Sequence, residues 1–409
     1  MSELTKTIRL KLQVSNEQEK QFLEMMERFQ DACNFVSKYI FEHEFCLDKK
    51  ILQEKLYYEL RNRFHLKAQL AISVIRTVIA HYETLKTQMS KTPFRYKTES
   101  GTWKKIPRTL EWLWKPINFK VPQVDLVYNR DYSFVEKMTK LSINTLTKRT
   151  KCTFEIKHYE EYFDGTWKLG TAKLVKKNKK WYLHISVTKN VEDLKLENTK
   201  HIVGIDRGLR FLAVSYDEQG KTRFYSGKEI ARKRQIFQKV RSELQAKGTK
   251  SAKRKLKQIS ERENRWMTDV NHCLSKTLVR EYGQDTAFVL EDLTGVSFEK
   301  SNLSKNKEWN HNLTSWAFYQ LEQFLDYKAR DNKSRIVIVS GMYTSQRCPK
   351  CGKIRGENRN HTIHLYSCSC GYHSNDDRSA AMNIYELGKR WANGEEKPRY
   401  EISRTSKTA

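Results

Sequence analysis

Apolar positions recur every second residue at the start of the chain. Over Lys6–Val14, Lys6, Ile8, Leu10, Leu12 and Val14 share one face, with Thr7, Arg9 and Lys11 opposite. That alternation predicts a half-buried strand. Ser15-Asn16-Glu17-Gln18 then caps a helix whose apolar positions include Phe22, Leu23, Met26, Phe29, Cys33, Phe35 and Val36. A further helical region spans roughly residues 49–85, carrying Leu52, Leu56 and Leu60 and then the run Ala68–Val78. Pro93 and a polar cluster around Ser90–Gly101 end it.

From Ile117 to Val187 the character changes to strands, in the segments INFKVPQVDLVY, KCTFEIKHY, TWKLGTAKLVKK and KWYLHISVTK, punctuated by Asp164-Gly165 and Asn178-Lys179. Together with the first strand they predict a β-barrel-like unit, with the helices of 16–90 inserted into it. Asn190–Thr199 is polar and reads as a linker. The second half alternates strands with helices. Val203–Leu209 and Phe211–Ser215 form a strand, a turn and a strand; Thr286–Leu293 and Ser334–Ser340 read as buried strands. Trp266–Tyr282 and Leu313–Arg330 are amphipathic helices, the latter carrying Trp316, Phe318, Leu321 and Leu325. Leu387–Ala409 is polar and is expected to be frayed. The fold class is α/β plus a β-barrel.

Charge sharpens the picture. The 409 residues carry 77 Lys and Arg against 48 Asp and Glu, a formal net charge of +29. That excess points to a polyanionic partner. Lys228–Arg265 holds fourteen Lys and Arg but four Glu, and reads as a helical hairpin broken near Gly248. Its candidate nucleic-acid contacts are Arg232, Lys233, Arg234, Lys239, Arg241, Lys253, Arg254, Lys255, Lys257, Arg262 and Arg265. Tyr128, Tyr132, Trp103 and Trp114 have the chemistry to stack on bases, but packing is the expected role of each. No apolar run approaches membrane-spanning length and the N-terminus lacks a signal core, so a soluble, cytoplasmic protein with no membrane partner is expected. Cys33, Cys46, Cys152 and Cys273 lie far apart and are expected to be plain thiols.

The other four cysteines are paired. Cys348-x-x-Cys351 and Cys368-x-Cys370, each followed by a glycine, supply the four thiolates of a structural Zn²⁺ site. Three carboxylates form the second constellation. Asp206 ends a strand beside a glycine turn, Glu291 ends a buried strand, and Asp377 starts a short helix. Carboxylates brought to one sheet edge make a site for hard divalent cations, and two Mg²⁺ ions there would serve phosphodiester cleavage. His272 is expected to be a hydrogen-bonded helix residue, not a ligand.

The order of these motifs resembles the TnpB family of insertion sequences and its relatives, the miniature type V CRISPR effectors. Gly204-Ile205-Asp206-Arg207-Gly208-Leu209 is similar to the family's first RuvC motif, and Leu290-Glu291-Asp292-Leu293 to the second. Ser345–Gly352 resembles the start of its zinc ribbon, and Asp377 with Ala380-Ala381-Met382-Asn383-Ile384 the third motif. Asn375-Asp376-Asp377-Arg378-Ser379 departs from the family's usual run; the register of the Ala-Ala-x-Asn-Ile tail makes Asp377 the ligand and leaves open whether Asp376 shares its role.

The resemblance implies an RNA-guided DNA endonuclease that cuts beside a short target-adjacent motif, with Mg²⁺ on Asp206, Glu291 and Asp377 and Zn²⁺ on the cysteines. It implies a guide RNA and double-stranded target DNA as partners, and leaves the oligomeric state open. The implied domains are a first barrel strand (1–15), a helical recognition insert (16–95), a wedge-like β-barrel (96–190), a linker (191–200), an RNase H-like RuvC domain (201–343) with its basic hairpin (228–265), a zinc ribbon (344–372), the third RuvC motif (373–386) and a flexible tail (387–409). A CRISPR effector of the same chemistry and a non-cleaving RNA-guided repressor are the alternatives. All three acidic positions are filled, which weighs against the repressor.

Overall fold

The computed structural model describes residues 2–293, 318–360 and 362–401. The chain forms two compact units, one of Thr5–Lys189 and one made of the rest.

The first unit is built on the strand β1 (Ser2–Gln13), whose Ile8, Leu10 and Leu12 are buried as the alternation requires. Ser15 closes a capping box at the start of α1 (Asn16–Glu42): its Oγ accepts from the Gln18 N–H, and Gln18 Oε1 accepts from the Ser15 N–H. The helical region beyond is two helices, α2 (Lys49–Arg63) and α3 (Ala68–Lys91), separated where His65 takes a positive φ of 54°. Their apolar stripes, Leu52, Leu56 and Leu60 against Leu70, Val74 and Val78, are buried. The segment around Ser90–Gly101 holds an unexpected hairpin, β2 (Phe94–Lys97) with β3 (Trp103–Ile106).

The remaining strands of this unit are β4 (Val124–Val127), β5 (Tyr132–Val135), β6 (Lys140–Asn144), β7 (Arg149–Glu155), β8 (Lys168–Lys177) and β9 (Lys180–Val191). They join β1 in a seven-stranded sheet of order β4-β8-β9-β1-β7-β6-β5. Its two outermost strands, β4 and β5, are consecutive in the chain, and Tyr128 bridges to Tyr132 across the turn between them. A sheet whose ends meet through so short a turn is curled round, giving a nearly closed barrel. Residues 117–123, expected to begin β4, are not strand: Phe119 bonds instead to the side chains of Asn34 and Gln30. Tyr132 is buried and donates its hydroxyl to the Gly170 carbonyl, so it packs as expected; Trp103 and Trp114 do not, at 68% and 81% exposed. Cys33 and Cys152 are buried free thiols, and Cys46 and Cys273 are also unpaired.

In the second unit β10 (His201–Asp206) runs antiparallel to β11 (Phe211–Asp217), which pairs with β12 (Thr222–Ser226). The helices α4 (Lys228–Lys247), α5 (Lys250–Ile259) and α6 (Arg262–Tyr282) come next. Gly248 ends α4 in the left-handed region at φ 60°, the break expected there, and Thr249 caps α5. The strand β13 (Thr286–Glu291) lies parallel to β10, and after α7 (Phe318–Asp331) β14 (Arg335–Val339) lies parallel to β13. Leu313 and Trp316, expected on α7, lie outside the described residues. The small strands β15 (Arg359–Asn360), β16 (Leu365–Ser367) and β17 (His373–Asn375) form an antiparallel sheet. The helix α8 (Asp376–Ala392) follows directly.

The five-stranded sheet, order β12-β11-β10-β13-β14, is covered on both faces. Leu274 and Leu278 of α6 and Leu321 and Leu325 of α7 share a core with Val203, Ile205, Phe288 and Leu290. Ile384, Leu387 and Trp391 of α8 share another with Ala287, Val289, Val337 and Val339. Burial on both sides explains why the parallel strands are continuous apolar runs. The tail expected from 387 onward is instead helical as far as Ala392, with Leu387, Trp391 and Tyr400 buried, and its residues 402–409 lie outside the described residues. Leu387 and Trp391 extend the apolar face of α8, and the buried Tyr400 donates its hydroxyl to the Asn383 carbonyl. Among the described residues no helix is long and apolar enough to cross a membrane.

Gly204 is where α8 crosses β10. A Cβ there would lie 2.3 Å from the Tyr385 nitrogen and 2.4 Å from the Ala381 carbonyl oxygen. Backbone cannot yield as a side chain does, so Gly204→Ala is expected to cost about 3 kcal/mol through overpacking. In a calorimetric scan that lowers the transition of this unit by about 10 °C. An unchanged transition would mean that α8 is not held against the strand as described.

Candidate nuclease and metal sites

The parallel pairing of β10 with β13 puts their carboxyl ends at one sheet edge, with Ile205 opposite Leu290. The next residue on each strand is an acid, and the Asp206 and Glu291 carboxyls come within hydrogen-bonding reach. Burial, and then the Glu291 carboxylate, push the Asp206 carboxyl well above the ordinary carboxylate range; Arg359 pulls it back and Asp376 adds to the rise. Asp377 reaches the same edge from the first turn of α8. Its carboxyl is pushed up to about 6 by burial, by Asp206 and by Asp376, against the opposing pull of Arg359 and His364. Asp206 thus faces the charges of Glu291 and Asp376, and Asp377 those of Asp206 and Asp376.

Several residues the sequence did not single out hold these acids in place. Arg207 donates to the Glu291 carbonyl oxygen at 2.6 Å and to Glu322 at 2.8 Å. Its side chain is buried, so it fixes the end of β13 relative to α7. Thr344 Oγ1 donates to Glu291 Oε2 at 3.2 Å, and Gly341 leaves room for that carboxylate, since a Cβ would come within 2.9 Å of it. Asp376 is completely buried. It accepts from Arg359 Nε at 2.9 Å and lies 3.4 Å from His364 Nδ1, while Arg359 Nη2 reaches Asp377 at 3.3 Å. His364, Asp376 and Asp377 gather their potential ligand atoms within 4.8 Å. Acids crowded tightly enough to hold on to protons are a suitable donor set for a hard divalent cation, and Mg²⁺ fits their all-oxygen character.

The four cysteines form the other gathering of that kind among the described residues. Gly352 and Gly371, both at positive φ, turn the two knuckles, and the Gly352 and Gly371 N–H groups donate to the Cys348 and Cys368 carbonyls. Sγ of Cys348 lies 3.6 Å from that of Cys370, and Sγ of Cys351 lies 3.6 Å from that of Cys368. Those separations are far too long for disulfides. Tetrahedral Zn–S bonds of about 2.3 Å put sulfurs about 3.8 Å apart, so the set fits zinc despite the shorter C-x-C knuckle. Asn383 ties this module to α8: its amide donates to the Thr344 and Arg347 carbonyls, both at 2.8 Å, and accepts from the Arg347 guanidinium.

The basic hairpin needs one correction. Arg234 is buried and pairs with Glu263, so it braces α4 against α6 and does not face solvent. Arg241 closes on the same Glu263 at 2.6 Å. Arg232, Lys233, Lys239, Lys253, Arg254, Lys255, Lys257, Arg262 and Arg265 are exposed. His272 stacks on Phe324, with ring centroids 3.8 Å apart, and is a packed helix residue as expected.

Comparison with known proteins follows the same division. Residues 184–295 match the family described as "Probable transposase", and residues 318–384 match the "Cas12f1-like, TNB domain" family. Over 241 residues the chain is 28% identical to a TnpB-like protein of Methanocaldococcus jannaschii, covering 57% of this chain and 83% of that one. These matches are to TnpB-like proteins. The chain is also related to the miniature type V effectors: it is 28% identical over 244 residues to the CRISPR-associated endodeoxyribonuclease Cas12f1 of Sulfoacidibacillus thermotolerans. That match spans 55% of each chain, so this chain aligns with about half the length of that relative. The fold resembles the protein chain in a Cas12f1–sgRNA–target DNA complex, with a TM-score of 0.56 at 12% identity, covering 94% of this chain and 99% of that one.

Proposed function

We propose that this chain is an RNA-guided DNA endonuclease of TnpB type. Its second unit is read as a RuvC-type, RNase H-like nuclease (201–343, completed by 373–386) with a zinc ribbon (344–372) set into it. Its barrel (1–15 and 96–190), with the helical insert (16–95), is read as holding the guide RNA and reading a short motif beside the target. The proposal is carried by the parallel register that ends β10 and β13 in Asp206 and Glu291 side by side, supported by the electrostatic link of Asp377, in the first turn of α8, to Asp206.

Mg²⁺ bound by these acids would supply the charge that activates a water and stabilises the leaving oxygen of a phosphodiester. The protein's own part is positional. Arg207 fixes the end of β13, Thr344 orients the Glu291 carboxylate, and the buried Arg359–Asp376 pair steadies the first turn of α8. Exposed cations on α4 and α5 suit the backbone of a nucleic-acid duplex, which a guided nuclease grips by shape while base pairing reads sequence. Protein purified from cells carrying its native locus is expected to retain one discrete RNA, whose sequencing identifies the guide. Cleavage that survives complete RNase treatment at an unchanged rate would refute guidance.

A further inference from the structure

The hairpin of β2 and β3 is out of keeping with the rest of the first unit. All of its strand residues are exposed, including Phe94 at 49%, Ile106 at 40% and Trp103 at 68%. A two-stranded hairpin with water on both faces is marginal by itself. The pairing sharpens the problem. Arg95 stands directly opposite Lys105, and Lys97 opposite Trp103. Like charges placed across a strand pair oppose its formation. Among the described residues Arg95, Lys97, Lys104 and Lys105 have no ion-pair partner, and the nearby carboxylates Glu99 and Glu111 form no ion pair with them.

Each face lacks something specific. Residues directly opposite share a face, so one carries Phe94, Tyr96, Lys104 and Ile106, and the other Arg95, Lys97, Lys105 and Trp103. The Phe94 and Tyr96 rings stack with centroids 6.4 Å apart, and Trp112 adds its ring 5.9 Å from Phe94. Just beyond, Trp114 is 81% exposed, with Lys115 Nζ 4.1 Å above its ring. Flat apolar surfaces interleaved with unneutralised cations match one chemistry: unstacked bases joined by phosphates. An apolar protein face would cover the aromatics but leave the Arg95–Lys105 repulsion in place.

We propose that the β2–β3 hairpin binds an unpaired stretch of RNA, with a base on Trp103 and phosphates on Arg95, Lys97 and Lys105. The assignment rests on the reading of the protein as RNA-guided, and the RNA is an unpaired part of the guide. These side chains are solvent-exposed, so replacing them leaves the core untouched.

The test uses the full chain and a 4-thiouridine-substituted U20 oligonucleotide, with dT20 as competitor. Ultraviolet cross-linking followed by tryptic mapping is expected to mark the peptide Thr98–Lys104. Trp103→Ala is expected to abolish that adduct and weaken U20 binding roughly tenfold, the loss of one stacked base. The triple variant Arg95→Glu, Lys97→Glu, Lys105→Glu is expected to flatten the salt dependence of binding by about two logarithmic units per decade, from three lost phosphate contacts. U20 bound by the wild type with no adduct at the hairpin and no change in either variant overturns this assignment and leaves the guided reading standing. No RNA binding by the wild type overturns both. Loss of the hairpin adduct to excess dT20 but not to excess unlabelled U20 refutes RNA as the occupant, and a fall in the protein's mass in solution in the variants with unchanged RNA binding identifies a protein contact instead.

Discussion

Asp206→Asn is expected to abolish Mg²⁺-dependent cleavage and at the same time to raise the melting temperature of the metal-free protein at neutral pH. The two effects have one cause. The Asp206 carboxyl is buried against Glu291 and near Asp376 and Asp377, which makes its charge expensive in the absence of a cation and valuable in its presence. Removing a metal-holding carboxylate sacrifices about 4 kcal/mol of transition-state stabilisation, roughly a thousandfold in rate. Removing the same charge from the metal-free protein relieves repulsion.

The pH dependence follows from Asp377, whose carboxyl is pushed up from the model-compound value of 3.8 to about 6. A group with a raised folded-state pKa favours the fold below its unfolded value, and that contribution is lost as pH rises through the folded one. The metal-free protein should therefore lose about 2 kcal/mol of this contribution between pH 4 and pH 6, out of about 3 kcal/mol over the whole range from below 3.8 to well above 6. Mg²⁺ at pH 7.5 should restore stability to the wild type and much less to Asp206→Asn. Melting curves with and without Mg²⁺ at the two pH extremes measure this, beside a cleavage assay and an RNA-binding assay. RNA binding is expected to be unchanged. A variant that melts lower than wild type and loses RNA binding would make Asp206 a structural residue.

The strand that delivers Glu291 was legible because burial on both faces leaves an uninterrupted apolar run, TAFVLE. The break at Gly248 and the cap at Ser15 were legible because their chemistry is local. The turn between β5 and β6 was not. Glu136, Lys137 and Met138 all take positive φ there, and none of them carries the usual signal of glycine, asparagine or aspartate. Residues 117–122 alternate like a strand, yet Asn34 and Gln30 claim the Phe119 backbone, a partner more than eighty positions away in the chain.

The supports of the candidate site were hidden for the same reason. Arg359 and His364 reach Asp376 only once the cysteine module has folded back onto α8, and no spacing announces that approach. Arg234 looked like its neighbours in a basic run, but one turn of α4 faces Glu263. The tail from 387 onward reads as polar by composition. Its buried residues, Leu387, Trp391 and Tyr400, are few and spaced to continue one helix face and one return contact.

The second large effect concerns the thiolates. Cys348→Ser is expected to release about one zinc ion per chain and to abolish cleavage without touching any carboxylate. The reason is mechanical. Cys348 lies next to Arg347, and the Thr344 and Arg347 carbonyls are held by Asn383 of α8, while Thr344 also orients Glu291. Arg359, which bridges Asp376 and Asp377, is carried by the segment between the two knuckles. A structural zinc in a module this small supplies on the order of 10 kcal/mol, more than the module's own core of Tyr366 and its neighbours can replace. Losing the ion therefore frees Thr344 and Arg359 together and disorganises two of the three acids. Metal analysis of the purified proteins gives the zinc content, and limited proteolysis reports whether cuts appear within residues 345–375. Cys273→Ser, which removes an exposed thiol on α6, is the matched control and should keep both zinc and activity. Wild-type protein without zinc, or a Cys348→Ser variant that cleaves at the wild-type rate, would remove the ribbon from the architecture of the site.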